Sequence, residues 1–151
     1  MNSTLDTTLA LNRYGCILML SCYLSSRKQV HTMTFSAVHH ISLNVADTAQ
    51  ALAFYVDVLN FKQIPRPDLG FDGAWLQIGD QQLHLLEVSK HKAPVGQHFA
   101  LRVDDIEAAR VHLQSKNVEV SNASEMSGIC LQCFFKDPSG NLLELNQPLT
   151  V

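Results

Sequence analysis

Four side chains in this sequence have types and spacing that suit metal chemistry. His40 and His98 each open an alternating apolar stretch. His84 and Glu144 each sit between leucines, in Leu83-His84-Leu85 and Leu143-Glu144-Leu145. Imidazole nitrogens and carboxylate oxygens together are a ligand set for Zn, Fe, Mn, Ni or Co. Three imidazoles and one carboxylate on an octahedral ion leave two positions open for a substrate. Glu144 is the most informative of the four. A carboxylate inside an apolar strand is costly unless it is paired, hydrogen-bonded or metal-bound.

These residues are related by an internal repeat. An offset of 58 places His40 on His98, Leu43 on Leu101, Val45 on Val103, Asp47 on Asp105 and Ala51 on Ala109. The offset then drifts to 60, where Leu83-His84-Leu85 falls on Leu143-Glu144-Leu145. Val38 to Val45 alternates, with Ile41, Leu43 and Val45 on one face and His40, Ser42 and Asn44 on the other, as a strand with one apolar side does. Asp47 or Thr48 caps a helix carrying Ala51, Leu52, Phe54, Tyr55, Val58 and Leu59 at helical spacing. Strands follow at Phe61 to Ile64, Ala74 to Ile78 and Gln82 to Val88, with a turn at Gly79-Asp80. The second half repeats the order: a strand from His98 to Val103, a helix capped by Asp104 or Asp105, then strands at Asn117 to Val120, Ile129 to Phe135 and Leu142 to Asn146. The expected fold is α+β, two βαβββ modules spanning about 36–89 and 97–147. Their open faces form a curved mixed sheet around a metal cleft.

Composition sets the outer bounds. The chain has 151 residues, 46% of them hydrophobic, and a formal net charge of −3. Such a chain buries a full core, and it shows no basic stripe of the kind a nucleic-acid partner selects. No apolar run reaches the ~18 residues needed to span a bilayer, so no membrane partner is expected and the protein reads as cytoplasmic. Four cysteines are too few for a disulfide scaffold. Cys130 and Cys133 lie three apart on a strand, face opposite sides and read as buried thiols. Residues 1–32 read as an N-terminal tail outside the fold, with Met33 the natural start and 33–151 the working domain. Of the other histidines, His39 is expected on the helix-covered face. His31, His91 and His112 fall in the tail, a loop and a helix and are given no role.

Several stretches carry a resemblance. They are Val38-His39-His40-Ile41-Ser42-Leu43-Asn44-Val45, Phe54-Tyr55-Val56-Asp57-Val58-Leu59-Asn60-Phe61, His98-Phe99-Ala100-Leu101-Arg102-Val103, and Phe134-Phe135-Lys136-Asp137-Pro138-Ser139-Gly140-Asn141-Leu142-Leu143-Glu144-Leu145. Over roughly residues 36–147 the chain resembles the vicinal oxygen chelate superfamily, which includes glyoxalase I, bleomycin-resistance proteins, fosfomycin-resistance transferases and extradiol dioxygenases. The resemblance implies one divalent metal ion, Ni, Zn, Co, Mn or Fe, bound by His40, His98 and Glu144. Glyoxalase I has a glutamate where this chain has His84, so His84 takes the fourth metal position. Glu87 falls on the opposite face and is not counted as a ligand.

The activity so implied is a glyoxalase-type lyase or isomerase acting on a small oxygenated substrate. Glu144 is its catalytic residue, and Arg102 and Trp75 are its substrate contacts. A homodimer is expected, with the cleft built within one chain or between two. Two alternatives stand beside it: an Fe(II) extradiol-type dioxygenase, and a non-catalytic small-molecule binding or drug-resistance protein.

Overall fold

A computed structural model describes residues 33–149. The expectations for residues 1–32 and for the last two residues lie outside it. The chain divides after Phe35, and the unit that begins at Ser36 carries the repeat. The first module runs β1 (His40–Val45), α1 (Thr48–Asp57), β2 (Lys62–Ile64), β3 (Gly73–Ile78) and β4 (Gln81–Glu87). The second runs β5 (His98–Arg102), α2 (Ile106–Ser115), β6 (Ser124–Met126), β7 (Cys130–Lys136) and β8 (Leu142–Pro148).

Each module is a four-stranded mixed sheet with one helix, in the orders β1-β4-β3-β2 and β5-β8-β7-β6. The first and last strands of a module pair in parallel, and the other pairs are antiparallel. A parallel pair needs a crossover, and the helix with the two intervening strands supplies it.

The helix starts are set by the residues the repeat aligned. Asp47 and Asp105 are extended N-caps, and their side chains accept from Gln50 N and Ala108 N, each at 2.9 Å. A second acceptor reaches each first turn from the last strand of the same module. Glu87 Oε2 accepts from Thr48 N at 2.9 Å, and Gln147 Oε1 accepts from Ile106 N at 2.8 Å. Glu87 and Gln147 sit three residues beyond His84 and Glu144 in their strands. Strand alternation therefore turns His84 and Glu144 to one face and the two caps to the helix side. Glu87 is thus a helix cap, as its opposite facing required.

The second module departs from the expected strand limits. Its second strand is Ser124–Met126, and residues 117–120 contribute only a single bridge, Val120 to Phe135. The reason lies at the end of α2. Asn117 has φ +59, a left-handed conformation that closes a helix and cannot continue a strand. Asn60 closes α1 in the same way, at φ +57. Ser124–Met126 is exposed throughout and carries no apolar alternation for a sequence reading to catch.

The two modules share one core, which includes Val45, Tyr55, Leu76 and Leu83 from the first and Ile106, Leu113, Phe135 and Leu143 from the second. They are also joined by a buried polar network. The Tyr55 hydroxyl donates to Asp137 Oδ2 at 3.0 Å, and Asn141 Nδ2 donates to the same oxygen at 2.8 Å. Asp137 Oδ1 accepts from the backbone of Ser139 and Asn141 at 2.9 and 2.8 Å, closing the Asp-Pro-Ser-Gly-Asn turn. Asn141 Nδ2 also donates to Asn44 O at the end of β1 at 2.9 Å, and Ala46 N donates to Ser139 Oγ at 2.9 Å. The Phe-Tyr helix and the Asp-Pro-Ser-Gly-Asn turn are therefore two sides of one joint between the modules.

Candidate metal centre

Strand register places the four candidate ligands at equivalent points. In the first module Ser42 of β1 is the Cα partner of His84 of β4. In the second, Ala100 of β5 is the partner of Glu144 of β8. His40 and His98 each lie two residues before those partners, on the same open face. A third strand adds an aromatic ring to each half. Trp75 is directly opposite His84, and Phe134 is directly opposite Glu144. Each half-site is thus a histidine on the first strand, a polar ligand on the last, and an aromatic side chain beside it.

The second half-site is drawn together. His98 Nε2 lies 3.0 Å from Glu144 Oε2, and His98 Nδ1 donates to Gly96 O at 2.9 Å. With its one N–H committed to that carbonyl, a neutral imidazole turns the Nε2 lone pair toward the carboxylate. Two acceptors then face each other, and only a proton or a cation can lie between them. A backbone carbonyl that fixes the remote nitrogen is also how metal-bound histidines are oriented. Glu144 is buried, with 6% of its surface exposed, and its other oxygen accepts from Asn146 Nδ2 at 2.8 Å. No lysine or arginine pairs with it among the described residues. A buried carboxylate whose partners are an amide and an imidazole fits a cation site, because burial without a positive charge nearby is unfavourable. Phe134 stands edge-on to His98 with ring centroids 5.4 Å apart.

The first half-site is a stack. Trp75 and His84 lie face to face at 4.3 Å, and His84 and His40 at 4.2 Å, with interplanar angles of 10° and 13°. His84 Nε2 lies 2.9 Å from Gln82 Oε1, so the ring donates there and keeps Nδ1 as its lone-pair nitrogen. Burial first, and then the charges of His40 and His39, hold the His84 pKa below the ordinary histidine value. His39 is exposed rather than tucked under the helix. It precedes β1, outside the strand alternation, and its Nδ1 lies 3.0 Å from His40 Nδ1.

The structure brings His40 to His84 and His98 to Glu144. Among the described residues it does not gather three or more His, Cys, Asp or Glu side chains into one cluster. Arg102 is exposed at the end of β5, on the His98 face. Trp75 is half-buried on the open face, against His84. Cys130 and Cys133 are both buried and unpaired, and burial pushes the Cys133 thiol up. His91 and His112 are structural. His91 Nε2 lies 2.8 Å from Asn141 Oδ1, and His112 Nε2 donates to Val58 O at 2.7 Å.

Several contributors escaped the sequence reading. Phe134 had a usable signal, since its offset from Trp75 lies between the 58 and 60 of the flanking ligands. Gln82, Asn146 and the Gly96 carbonyl had none, because which neighbour a polar side chain reaches depends on rotamer and register.

Residues 37–145 match the family described as the Glyoxalase/Bleomycin resistance protein/Dioxygenase superfamily. The uncharacterized protein YaeR of Escherichia coli (strain K12) is 32% identical over 120 residues, covering 72% of this chain and 93% of that protein. Glyoxylase I 4 of Arabidopsis thaliana is 29% identical over 121 residues, covering 73% and 70%. Among solved structures, TnmS3, an antibiotic binding protein from Streptomyces sp. CB03234, superimposes with a TM-score of 0.68. It is 29% identical, and the match covers 78% of this chain and 99% of that one.

Proposed function

The chain belongs to the Glyoxalase/Bleomycin resistance protein/Dioxygenase superfamily, and we propose that within it the protein is a metal-dependent lyase or isomerase of the glyoxalase type. Its substrate is a small molecule with neighbouring oxygens, bound on the open faces of the two sheets. The observation that supports this reading is the His98–Glu144 contact. It holds His98 Nε2 and a buried carboxylate oxygen 3.0 Å apart, with each partner oriented by a further hydrogen bond.

His40, His98 and Glu144 would hold one divalent ion, with His84 as the fourth ligand. Such an ion supplies Lewis-acid polarisation of a substrate oxygen and so acidifies the adjacent C–H. The chain's own residues do the rest. His98 is fixed by Gly96 and presents Nε2. Glu144, with Oε1 held by Asn146 and Oε2 against His98, would take a proton from the substrate carbon and return it to the neighbouring carbon. Trp75 and Phe134 wall the cleft and keep water from the reacting carbons. Arg102, on the His98 face, meets an anionic group of the substrate.

The test is isomerisation of the hemithioacetal of methylglyoxal and glutathione, followed by thioester absorbance, with Ni, Co, Mn, Fe or Zn supplied in turn. Turnover that disappears in Glu144→Gln supports the reading. No turnover with any of these metals contradicts it. A homodimer is part of the same proposal, and sedimentation equilibrium checks it.

A second reading has its own observation. Trp75 and Phe134 stand at matching register positions in the two modules, opposite His84 and Glu144, and TnmS3, similar in fold and 29% identical, is an antibiotic binding protein. Under that reading the cleft sequesters a planar compound without turning it over. Quenching of Trp75 by such a compound in chelator-treated protein would favour it.

A further inference from the structure

The closed joint between the modules has a counterpart in the repeat, and that counterpart is open. Tyr55, Asp137, Asn141 and Asn44 make the closed joint. The offset of 58 carries Tyr55 to Leu113 and Asn44 to Arg102. The offset of 59 that relates Trp75 to Phe134 carries Asp137 back to Ile78, and the offset of 60 carries Asn141 back to Gln81. The buried hydroxyl–carboxylate pair of one junction is therefore a leucine and an isoleucine in the other, which cannot hydrogen-bond. The turn is shorter as well. Gly79-Asp80 joins β3 to β4, where the longer Asp137-Pro138-Ser139-Gly140-Asn141 joins β7 to β8.

All four counterparts, Leu113, Ile78, Gln81 and Arg102, line a single cavity of about 560 Å³. Small-molecule sites usually enclose about 300–1,000 Å³. The cavity lies on the helix side rather than in the cleft. Residues 58–61 after α1 and Ala109 of α2 border it. Ile41, Leu101 and Leu145 reach it from the strand face opposite His40, His98 and Glu144.

The lining is mostly apolar, and its charge is of one sign. No Asp or Glu lines the cavity, whereas Arg102 does and has no salt-bridge partner among the described residues. His112 also borders it, with Nε2 committed to Val58 O. Gln81 and Asn60 are exposed there and carry neutral amide donors. An apolar space bordered by a cation suits a ligand with an alkyl body and one anionic end, because alkyl burial and charge complementarity then act together.

We propose that this second junction is a binding site for an alkyl carboxylate, distinct from the cleft, with the alkyl chain among Ile78, Leu101 and Leu113 and the carboxylate at Arg102. The site does not depend on whether the cleft holds a metal.

Titration of the methyl-labelled full chain with decanoate, read by NMR, tests it. Saturable shifts should appear at the methyls of Ile78, Leu101 and Leu113. Trp75 emission should stay unchanged, since the single tryptophan stacks on His84 and does not line the cavity. Affinity should rise up to about fourfold for each methylene added from hexanoate to decanoate. Decanol, which lacks the charge, should bind about tenfold more weakly, and Arg102→Gln should weaken decanoate by a similar factor. Ala109→Phe, which puts a ring into the cavity, should abolish binding.

Shifts that are absent or do not saturate would overturn the proposal, as would a response confined to Trp75 and the cleft. So would decanol binding as tightly as decanoate, affinity unchanged in Arg102→Gln, or binding that survives in Ala109→Phe. If Ala109→Phe does not fold, the methyl shifts of the unsubstituted chain decide the question alone. Cavity methyls that shift when a dimer is diluted to monomer, but not with decanoate, would overturn the proposal and assign this face to a second copy.

Discussion

Tyr55 and Asp137, 82 residues apart in sequence, are joined by a 3.0 Å hydrogen bond in the buried joint between the two modules. Asp137 keeps three further hydrogen bonds there, from Ser139, Asn141 N and Asn141 Nδ2. Removing the tyrosine hydroxyl therefore leaves the carboxylate partly satisfied. Tyr55→Phe should lower unfolding stability by about 1–3 kcal/mol, the cost of an unmade buried bond, measured by urea unfolding at pH 7.

The same residue sets an alkaline limit. Burial first, and then the charge and hydrogen bond of Asp137, raise the Tyr55 pKa far above the ordinary value of about 10. A group raised in the fold contributes stability that is complete below its unfolded pKa and is lost as pH rises toward the folded one. Above about pH 10 the unfolded chain releases this proton and the folded chain keeps it. Stability should then fall by about 1.4 kcal/mol per pH unit from this residue. Tyr55→Phe should remove that part of the slope, and an unchanged slope would contradict the assignment.

Glu87 and Gln147 cap the two helices from the last strands. Each cap bond lost should cost about 0.5–2 kcal/mol. Glu87→Ala and Gln147→Ala should therefore lower the urea midpoint while leaving divalent-metal affinity within about twofold, since their side chains face away from the cleft. A large loss of metal affinity in Glu87→Ala would show that Glu87 is a ligand after all.

His84 should titrate below the ordinary histidine value in chelator-treated protein, because burial and then the neighbouring His40 and His39 charges oppose its protonation. A group depressed in the fold contributes stability that is present above its unfolded value, about 6.5, and is lost as pH falls through the folded one. Acidification below about pH 6.5 should destabilise the metal-free chain, and His40→Ala should move the His84 midpoint upward. NMR of the ring protons measures both. A His84 midpoint at or above 6.5 contradicts the stack as described.

Arg102 has no salt-bridge partner among the described residues and shares the open face with His98. Arg102→Ala should raise KM about tenfold for an anionic substrate, the effect of losing one exposed charge-assisted bond, with kcat nearly unchanged. Equal falls in kcat and kcat/KM would instead assign it to the transition state.

The sequence already held most of this fold, and the reasons are local. Alternation marked β1 and β5, and Asp47 and Asp105 marked both helix starts. The repeat paired His40 with His98 and His84 with Glu144 before any coordinates. Ser124–Met126 was hidden because an exposed three-residue edge strand has no apolar pattern, and the neighbouring Val118 and Val120 imitated one. The joint was visible only as two separate motifs, because nothing in Phe54-Tyr55 or Asp137-Pro138-Ser139-Gly140-Asn141 says that they touch. Alternation gave His84 its face, but not its place between Trp75 and His40. Stacking is decided by rotamers across three strands, and a one-dimensional pattern does not encode it.

The central claim is that His98 and Glu144 face each other across a cation. Elemental analysis tests it most directly, after the chain is stripped with chelator, reloaded with Mn, Fe(II), Co, Ni or Zn, and freed of excess. The unsubstituted chain should retain about one divalent ion per chain with at least one of these metals, as a site of two or three imidazoles and a carboxylate does. Glu144→Gln and His98→Ala, folded by circular dichroism, should each retain far less. An unsubstituted chain that keeps no metal, or variants that keep as much as it does, would contradict the claim.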